Sequence, residues 1–156
     1  MLSHIYDLDD VLVENLLIND KVRRNPKEYL KKMASYIKNM PYRGILNYVL
    51  QHIRPKNLKI EENSCIISNN PFAKEIAELY FPNTEAYSAI EFEVRDGRFT
   101  GRVIEKSKLD IVKDLLDRLD DRVFIYTDGY TGDEIEIAEY LKNLGKDVSL
   151  ININNV

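Results

Sequence analysis

The stretch that most constrains the fold of this chain is HIYDLDDVLVEN, residues 4–15. A short apolar run leads into Asp7, Asp9 and Asp10, and a second apolar run follows at once. Burying a carboxylate costs free energy unless it is paired or binds a cation. Acidic residues at the end of a core strand therefore indicate a charged partner or a bound cation. In open α/β sheets, ligands bind just beyond the carboxyl ends of the strands. The stretch therefore predicts a buried strand, about residues 3–8, that ends at a binding site.

The same pattern occurs twice more along the chain. Residues 65–67 form a short apolar run that stops at Ser68-Asn69, and residues 122–126 form another that stops shortly before Asp128. Runs of this kind, rich in Ile, Val and aromatic residues, are typical of strands buried on both faces of a sheet. Three strands that end in polar residues predict one edge of the sheet where those side chains meet.

Helical periodicity separates these strands. Apolar residues recur at three- and four-residue spacing in five segments that we predict to be helices, namely residues 26–40, 43–53, 71–80, 107–119 and 131–144. The spacing places Leu79 on the inner face of the third helix, and Ile135 and Leu144 on the inner face of the fifth. Ser107 is placed to cap the fourth, and a last strand is expected at residues 148–153. Strands that alternate with helices of this length predict an α/β fold with a parallel sheet flanked by helices.

Two segments depart from this alternation. Between residues 89 and 104 the apolar period changes to two, and Asp96-Gly97 lies at the centre, so we expect an antiparallel β-hairpin beside the parallel sheet. Residues 12–40 follow the first acidic strand end directly and serve no strand-to-strand crossover. We predict that they form a small helical cap over the polar edge of the sheet, within a single domain of residues 1–156.

The composition narrows the class of protein. The formal net charge is −4, so no overall basicity indicates binding to nucleic acid or to an anionic membrane. No apolar run reaches a membrane-spanning length and the chain begins with a strand rather than a signal peptide, so we expect a cytoplasmic protein. The single cysteine, Cys65, excludes an intramolecular disulfide and is expected to be a small core residue. Nothing in the sequence indicates the oligomeric state.

The residue types at the predicted edge favour phosphoryl transfer. A carboxylate can act as the nucleophile, and a second carboxylate two residues along can protonate the leaving group and later deprotonate water. Asp7 and Asp128 together form a hard-oxygen site that suits Mg²⁺. The Ser68 hydroxyl and a lysine at the start of a helix, either Lys106 or Lys108, would hold the phosphate oxygens.

Four ordered motifs carry a resemblance to a known family. DLDDVLV (residues 7–13), IISNN (66–70), KLDIV (108–112) and TDGYTGD (127–133) resemble the motifs of haloacid dehalogenase-type phosphatases. The segment FEVRDGRFTGRV (92–103) is similar to the hairpin before the third motif in their phosphoserine phosphatase-like branch. The resemblance covers nearly the whole chain apart from the short cap, and it implies a Rossmann-like parallel sheet with a helical cap insert.

The resemblance also implies roles for individual residues. Asp7 would be the nucleophile and a metal ligand. Asp9 would be the general acid and base, with its backbone carbonyl on the metal. Ser68 would bind phosphate with the help of the Asn69 amide, and Lys108 would neutralise the phosphate and the Asp7 carboxylate.

The fourth motif would complete the metal site, and three features depart from the family pattern. Asp128 would bind Mg²⁺, and Asp133 would support the metal waters or Lys108. Asp10 stands where the family has glycine or another small residue, and it adds negative charge at the edge. The fourth motif has one residue more between its acids than phosphoserine phosphatase has. Leu16 occupies the position of the cap glutamate that reads the substrate amine in that enzyme.

The leading hypothesis is a Mg²⁺-dependent phosphatase that hydrolyses a small phosphomonoester, a phosphorylated metabolite, through an aspartyl-phosphate intermediate. A second hypothesis, motivated by Asp10 and the longer fourth motif, is a non-catalytic regulatory protein of the same fold that binds phosphate or metal. A phosphoacceptor receiver domain also combines acidic, hydroxyl and lysine residues at strand ends, but the cap, the Asp7-x-Asp9 spacing and the position of Lys108 argue against it. For Asp10 and Asp133, a simpler role as helix N-caps stays open.

Overall fold

A computed structural model describes residues 1–129 and 132–155, except for the side chains of Asp20 and Asn155. Thr131, the predicted first residue of the last helix, lies outside the described residues. In chain order the elements are β1 (Leu2–Tyr6), β2 (Val13–Asn15), α1 (Asp20–Arg24), α2 (Pro26–Tyr36), α3 (Tyr42–Gln51), β3 (Ile53–Pro55), β4 (Ser64–Ser68), α4 (Ala73–Tyr80), β5 (Glu85–Ser88), β6 (Ile90–Arg95), β7 (Arg98–Glu105), α5 (Lys108–Asp114), β8 (Leu119–Thr127), α6 (Gly132–Asn143) and β9 (Asp147–Asn152). Short 3₁₀ turns cover Leu116–Arg118 and Ile153–Asn155.

The central sheet is parallel and places β1 between β4 and β8, in the order β5-β4-β1-β8-β9. Tyr6, the last residue of β1, is level with Ile66 of β4 and Tyr126 of β8. The carboxyl ends of three neighbouring strands therefore meet at one edge, as their polar endings predicted. The predicted α/β class, a Rossmann-like parallel sheet flanked by helices, is confirmed.

Two apolar cores, one on each face of the sheet, hold the helices in place. Successive strand residues point to opposite faces, so Ile5 and Cys65 pack under α5 and α6, while Tyr6 and Ile66 pack under α4 and the hairpin. Cys65 is fully buried, and burial raises the pKa of its thiol to about 12. A thiol that stays protonated is unreactive, so the prediction of a core residue is confirmed.

The inner face of α6 differs from the prediction. Ile135 and Leu144 are exposed, by 38% and 51%. The buried positions instead follow a spacing of three and four residues from Glu134, through Ile137 to Leu141. Two other residues predicted for the inner face, Ala138 and Leu141, are buried as expected, and a charged residue, Glu134, takes the inward position at the start of the helix.

Two further details of the predicted helices are wrong. Leu79 of α4 is exposed, because the buried face of that helix runs through Ala73, Ile76 and Ala77. The fourth predicted helix is shorter than expected, since α5 ends at Asp114 and residue 119 begins β8.

The predicted hairpin is confirmed. Strands β6 and β7 pair antiparallel as a separate two-stranded sheet, and Asp96 and Gly97 between them have φ values of 52° and 75°. Two successive positive φ values fit the type I′ turn that Asp-Gly favours, because glycine has no Cβ to clash. Phe92 and Phe99 pack edge-on against Phe72, which joins the hairpin to the core under α4.

A helical insert, residues 16–52, lies between the short strands β2 and β3, which pair antiparallel. It contains α1, α2 and α3. Helix α2 ends at Tyr36, before the predicted end at residue 40, and Asn39 follows with a φ of 68°, a conformation incompatible with a continuing right-handed helix. Within the described ranges, no helix combines the length and the apolar character needed to cross a membrane.

Candidate active site

A cavity of about 580 Å³ opens at the carboxyl edge of the sheet, with the helical insert on its other side. Its lining includes every residue that the sequence predicted for the site, namely Asp7, Asp9, Ser68, Asn69, Lys108, Asp128 and Asp133. The volume lies within the range of small-molecule sites, roughly 300–1,000 Å³. Residues far apart in the sequence share one cavity because β1, β4 and β8 end side by side.

Asp7 directly follows β1, and its carboxylate is held from two sides. Its Oδ1 accepts a hydrogen bond of 2.8 Å from the backbone N–H of Leu8, and its Oδ2 lies 3.4 Å from Nζ of Lys108. The side chain remains partly exposed to the cavity. A carboxylate that is oriented by two donors and still accessible has the geometry that a nucleophile requires.

Of the two candidate lysines, Lys108 faces the site. Its side chain is 5% exposed, whereas Lys106 is 58% exposed and pairs with Asp114 at 3.7 Å. Lys108 is the first residue of α5, and Ser107 caps that helix together with Asp110, as expected from the sequence. The cap fixes where the helix begins, and the beginning of the helix fixes Lys108 at the edge of the cavity.

A residue that the sequence did not predict, Glu134, accepts a hydrogen bond of 3.1 Å from Nζ of Lys108. Burial by itself lowers the pKa of Lys108, but the charges of Asp7 and Glu134 outweigh burial and raise that pKa above its ordinary value. Burial also raises the pKa of Glu134, against the opposing charge of Lys108. The other oxygen of Glu134, Oε2, is buried without a hydrogen-bond partner among the described residues. Its spacing from the buried residues of α6 was the signal that could have identified it.

Asp9 lies in an environment that favours proton exchange near neutral pH. Its Oδ1 accepts hydrogen bonds from Nδ2 of Asn15 at 3.0 Å and from Nδ2 of Asn70 at 3.2 Å. Burial and the negative charge of Asp7 outweigh these two donors and raise the pKa of Asp9 to about 7. A carboxyl group with a pKa near the working pH can both donate and accept a proton efficiently.

Asn70 is a second residue whose position sequence reasoning did not predict, although it lies in a recognised motif. It is buried, donates to both oxygens of Asp9, and accepts a 2.8 Å hydrogen bond from the backbone N–H of Phe72. Its own backbone N–H donates to Oγ of Ser68 at 3.0 Å. Asn70 therefore orients both the Ser68 hydroxyl and the Asp9 carboxyl toward the cavity. An asparagine that precedes a helix usually caps it. For that reason the sequence did not indicate that Asn70 contacts Ser68 and Asp9.

The donor set at the edge fits a hard divalent cation. Burial, followed by the charges of Asp7 and Asp10, raises the pKa of Asp128, so carboxylates crowd one another there. A cation between Asp7 and Asp128 would relieve this repulsion, and carboxylates are ligands that Mg²⁺ prefers. Asp133 is exposed and accepts a long hydrogen bond of 3.4 Å from Asn69. In the described part of the chain, no three His, Cys, Asp or Glu side chains are grouped closely enough to hold a metal by themselves.

Asp10 forms an ion pair with the helical insert. Its φ is 64°, and its Oδ2 pairs with the guanidinium of Arg23 in α1 at 3.0 Å. Nζ of Lys56 donates to its backbone carbonyl at 2.8 Å. A strand, β2, follows it rather than a helix, so Asp10 is not a helix N-cap and instead links the edge of the sheet to the insert.

Comparisons with known proteins bear on the fold. No family model and no curated protein sequence matches the chain. Among solved structures, a phosphoserine phosphatase in apo form superposes with a TM-score of 0.65 at 16% identity, over 97% of this chain and 93% of that one. A phospho-aspartyl intermediate analogue of phosphoserine phosphatase has a TM-score of 0.64 at 17% identity, over 97% and 93%. A HAD family hydrolase from Salmonella enterica serovar Typhi has a TM-score of 0.65 at 14% identity, over 96% of this chain and 66% of that one. At these identities the likeness establishes the fold, and it confirms the fold that the four motifs implied.

Proposed function

We propose that this chain, which has the haloacid dehalogenase-like fold of phosphoserine phosphatases, is a Mg²⁺-dependent phosphatase that hydrolyses a small phosphomonoester through an aspartyl phosphate on Asp7. The observation that carries the proposal is that Asp7, paired with Lys108 at 3.4 Å, lines the same cavity as Asp9, whose pKa is raised to about 7. One group has the geometry of a nucleophile and the other the proton affinity of a general acid and base.

In the first step the Asp7 carboxylate attacks phosphorus, a bond forms between its oxygen and phosphorus, and the bond from phosphorus to the alcohol oxygen breaks. Asp9 in its neutral form gives its proton to the departing alcohol. The ammonium of Lys108, the hydroxyl of Ser68 and the backbone N–H of Asn69 hold the phosphate oxygens as charge moves onto them.

In the second step Asp9, now a carboxylate, takes a proton from a water molecule that attacks the phosphorus of the aspartyl phosphate. The bond between phosphorus and the Asp7 oxygen breaks, which releases inorganic phosphate and regenerates both carboxyl groups. The Asn15 and Asn70 amides keep the Asp9 carboxyl in one orientation through both steps.

Asp7, Asp128 and the backbone carbonyl of Asp9 would hold Mg²⁺, with Asp133 and its partner Asn69 positioned to contact the bound waters. The ion would neutralise phosphate charge and orient the phosphoryl group for in-line attack. We further propose that residues 12–40 act as the cap of a single domain, that the protein works in the cytoplasm and that its partner is a small phosphorylated metabolite.

A phosphatase assay with a generic aryl phosphate tests this function. We expect turnover that requires Mg²⁺ and disappears on chelation, and a loss of at least about 1,000-fold in Asp7→Asn, because the nucleophile is removed. Lys108→Ala should lose far more activity than the matched variant Lys106→Ala, whose side chain points away from the cavity. No turnover across a broad panel of phosphomonoesters with Mg²⁺ present would remove the proposal.

The second candidate is a non-catalytic regulatory protein that binds phosphate or a metal ion. It is favoured by Asp10, which adds a charge that raises the pKa of Asp128. This candidate predicts Mg²⁺-dependent thermal stabilisation by a phosphate analogue such as vanadate, without product release from any ester.

A further inference from the structure

The wall of the cavity opposite the carboxylates is mostly apolar. It is built by the helical insert together with two aromatic side chains beside the edge of the sheet, and it includes Leu17, Ile18, Leu30, Met33, Phe72 and Phe92. A phosphate held at the carboxylate edge would point its ester group toward this wall. The chemistry of the wall therefore bears on which alcohol the enzyme releases.

Part of this wall is not explained by packing of the protein itself. Met33, Phe72 and Phe92 belong to the core under α4 and would be apolar in any case. The described residues that form the two cores do not include Ile18, Tyr29 or Leu30, although all three line the cavity and are only partly buried. Apolar side chains of this kind are stabilised when a ligand removes their surface from water.

The described acidic side chains of the cavity are grouped on one side of it, together with Lys108. Among the side chains that the structure describes, the acidic lining residues lie at the edge of the sheet, at positions 7, 9, 10, 128 and 133. Among the insert side chains that the structure describes, the charged lining residues are Arg23 and Arg24, and Arg23 is paired with Asp10. Against the described side chains of the insert, an ammonium group on the substrate would therefore meet apolar carbon and arginine, which is unfavourable.

We infer that the cavity selects phosphomonoesters of apolar alcohols, with an alkyl or aromatic group against the insert, over esters that carry an ammonium group. This inference rests on the proposed phosphatase function for the phosphate end of the ligand and adds the chemical class of the alcohol. A cavity of about 580 Å³ leaves room for such a group beside the phosphate.

A series of straight-chain alkyl phosphates, from methyl to hexyl, tests the inference directly, because these esters have similar leaving groups. We expect kcat/KM to rise by about fourfold for each added methylene until the cavity is filled. Propyl phosphate and phosphoethanolamine form a matched pair of nearly equal size, and the ammonium ester should be about 10-fold to 100-fold poorer. A flat series, or a preference for phosphoethanolamine or phosphoserine, would overturn the inference.

A pair of leucine variants locates the effect in the wall. Leu30→Gln places an amide against the alkyl group and should lower the ratio of hexyl to methyl phosphate activity by about 10-fold. Leu144→Gln changes an exposed leucine just after α6 that does not line the cavity, and it should leave that ratio unchanged. Equal effects of the two substitutions would contradict the assignment.

Binding measurements separate failure of this inference from failure of the proposed function. Alkylphosphonates cannot be hydrolysed, and calorimetry on the wild-type protein with Mg²⁺ should show affinity rising with chain length whether or not any ester turns over. Turnover of methyl phosphate with no chain-length trend would leave the phosphatase standing and remove the apolar preference. Rising affinity without turnover would remove the phosphatase function and leave the apolar preference standing. The same affinity series would test the preference if Leu30→Gln does not fold.

Discussion

Lys108 donates a 3.1 Å hydrogen bond to Glu134, and the two side chains are 5% and 4% exposed. The same ammonium lies 3.4 Å from Oδ2 of Asp7. Lys108 thus sits between a carboxylate that faces the cavity and one that lies behind it. We therefore expect Glu134 to act as a positioning residue that holds the lysine against Asp7.

Removing Glu134 should destabilise the fold. Breaking a buried ion pair by deleting one partner costs about 3–5 kcal/mol, and we expect the lower end because Lys108 keeps Asp7 as a partner. Glu136→Ala changes an exposed glutamate on the same helix and should alter the unfolding free energy by at most about 0.5 kcal/mol. Urea denaturation of Glu134→Ala and Glu136→Ala measures the difference, and similar stabilities would argue against a structural role for the buried pair.

The stability of the metal-free protein should depend on pH through Asp9. Folding raises the pKa of Asp9 from 3.8 to about 7, so between these values the folded state keeps a proton that the unfolded chain has released. The contribution of the neutral carboxyl is therefore present below about pH 4 and is lost as the pH rises to 7. We expect the unfolding free energy of the wild type to fall by at most about 4 kcal/mol over this range relative to Asp9→Asn, whose amide does not titrate. Parallel pH profiles of the two proteins in the presence of a chelator would show that Asp9 has an ordinary pKa.

Replacing Asn70 with alanine should destabilise the protein far more than replacing its neighbour Asn69. Asn70→Ala removes the donors to Asp9 and the acceptor for the buried N–H of Phe72, so we expect a loss of about 1–3 kcal/mol of stability. It should also raise the pKa of Asp9 further, because the Asn70 amide opposes the effect of burial. Asn69→Ala removes one long contact with exposed Asp133 and should change stability by at most about 0.5 kcal/mol. Thermal unfolding and an NMR titration of the Asp9 carboxyl check both points, and an unshifted Asp9 pKa in Asn70→Ala would refute this role.

Asp10 should strengthen metal binding from outside the ligand set. Its charge adds to that of Asp7 in raising the pKa of Asp128. A cation bound beside Asp128 would therefore also be attracted by the negative charge of Asp10. Asp10→Asn keeps a residue that tolerates a positive φ, and it should weaken Mg²⁺ binding by about twofold to fivefold. Isothermal titration with Mg²⁺ measures the change. Arg23→Gln removes the opposite charge at the same ion pair and should strengthen binding, so the same direction of change in both variants would exclude an electrostatic cause.

The fold and much of the site could be predicted because their signals are local. A buried strand needs an unbroken apolar run, an Asp-Gly turn needs positive φ values, and a capped helix needs Ser107 at its start. Each of these shows in a few consecutive residues. The inward position of Glu134 was missed, because a pattern of apolar residues does not count a glutamate, even though its spacing from Ile137 and Leu141 fits the buried face of α6. Whether Glu134 faces the core depends on Lys108, 26 residues earlier.

The amino-acid sequence by itself determined which strands end in Asp7, Ser68 and Asp128, and therefore that their side chains lie at one edge of a parallel sheet. Only the tertiary structure decided that Lys108 rather than Lys106 faces Asp7, and that Glu134 holds it there. The physical reason is that the strands and their polar endings follow from local patterns of apolar and polar residues. The partners and pKa values of polar groups follow instead from desolvation and from charges brought within a few ångströms by distant parts of the chain.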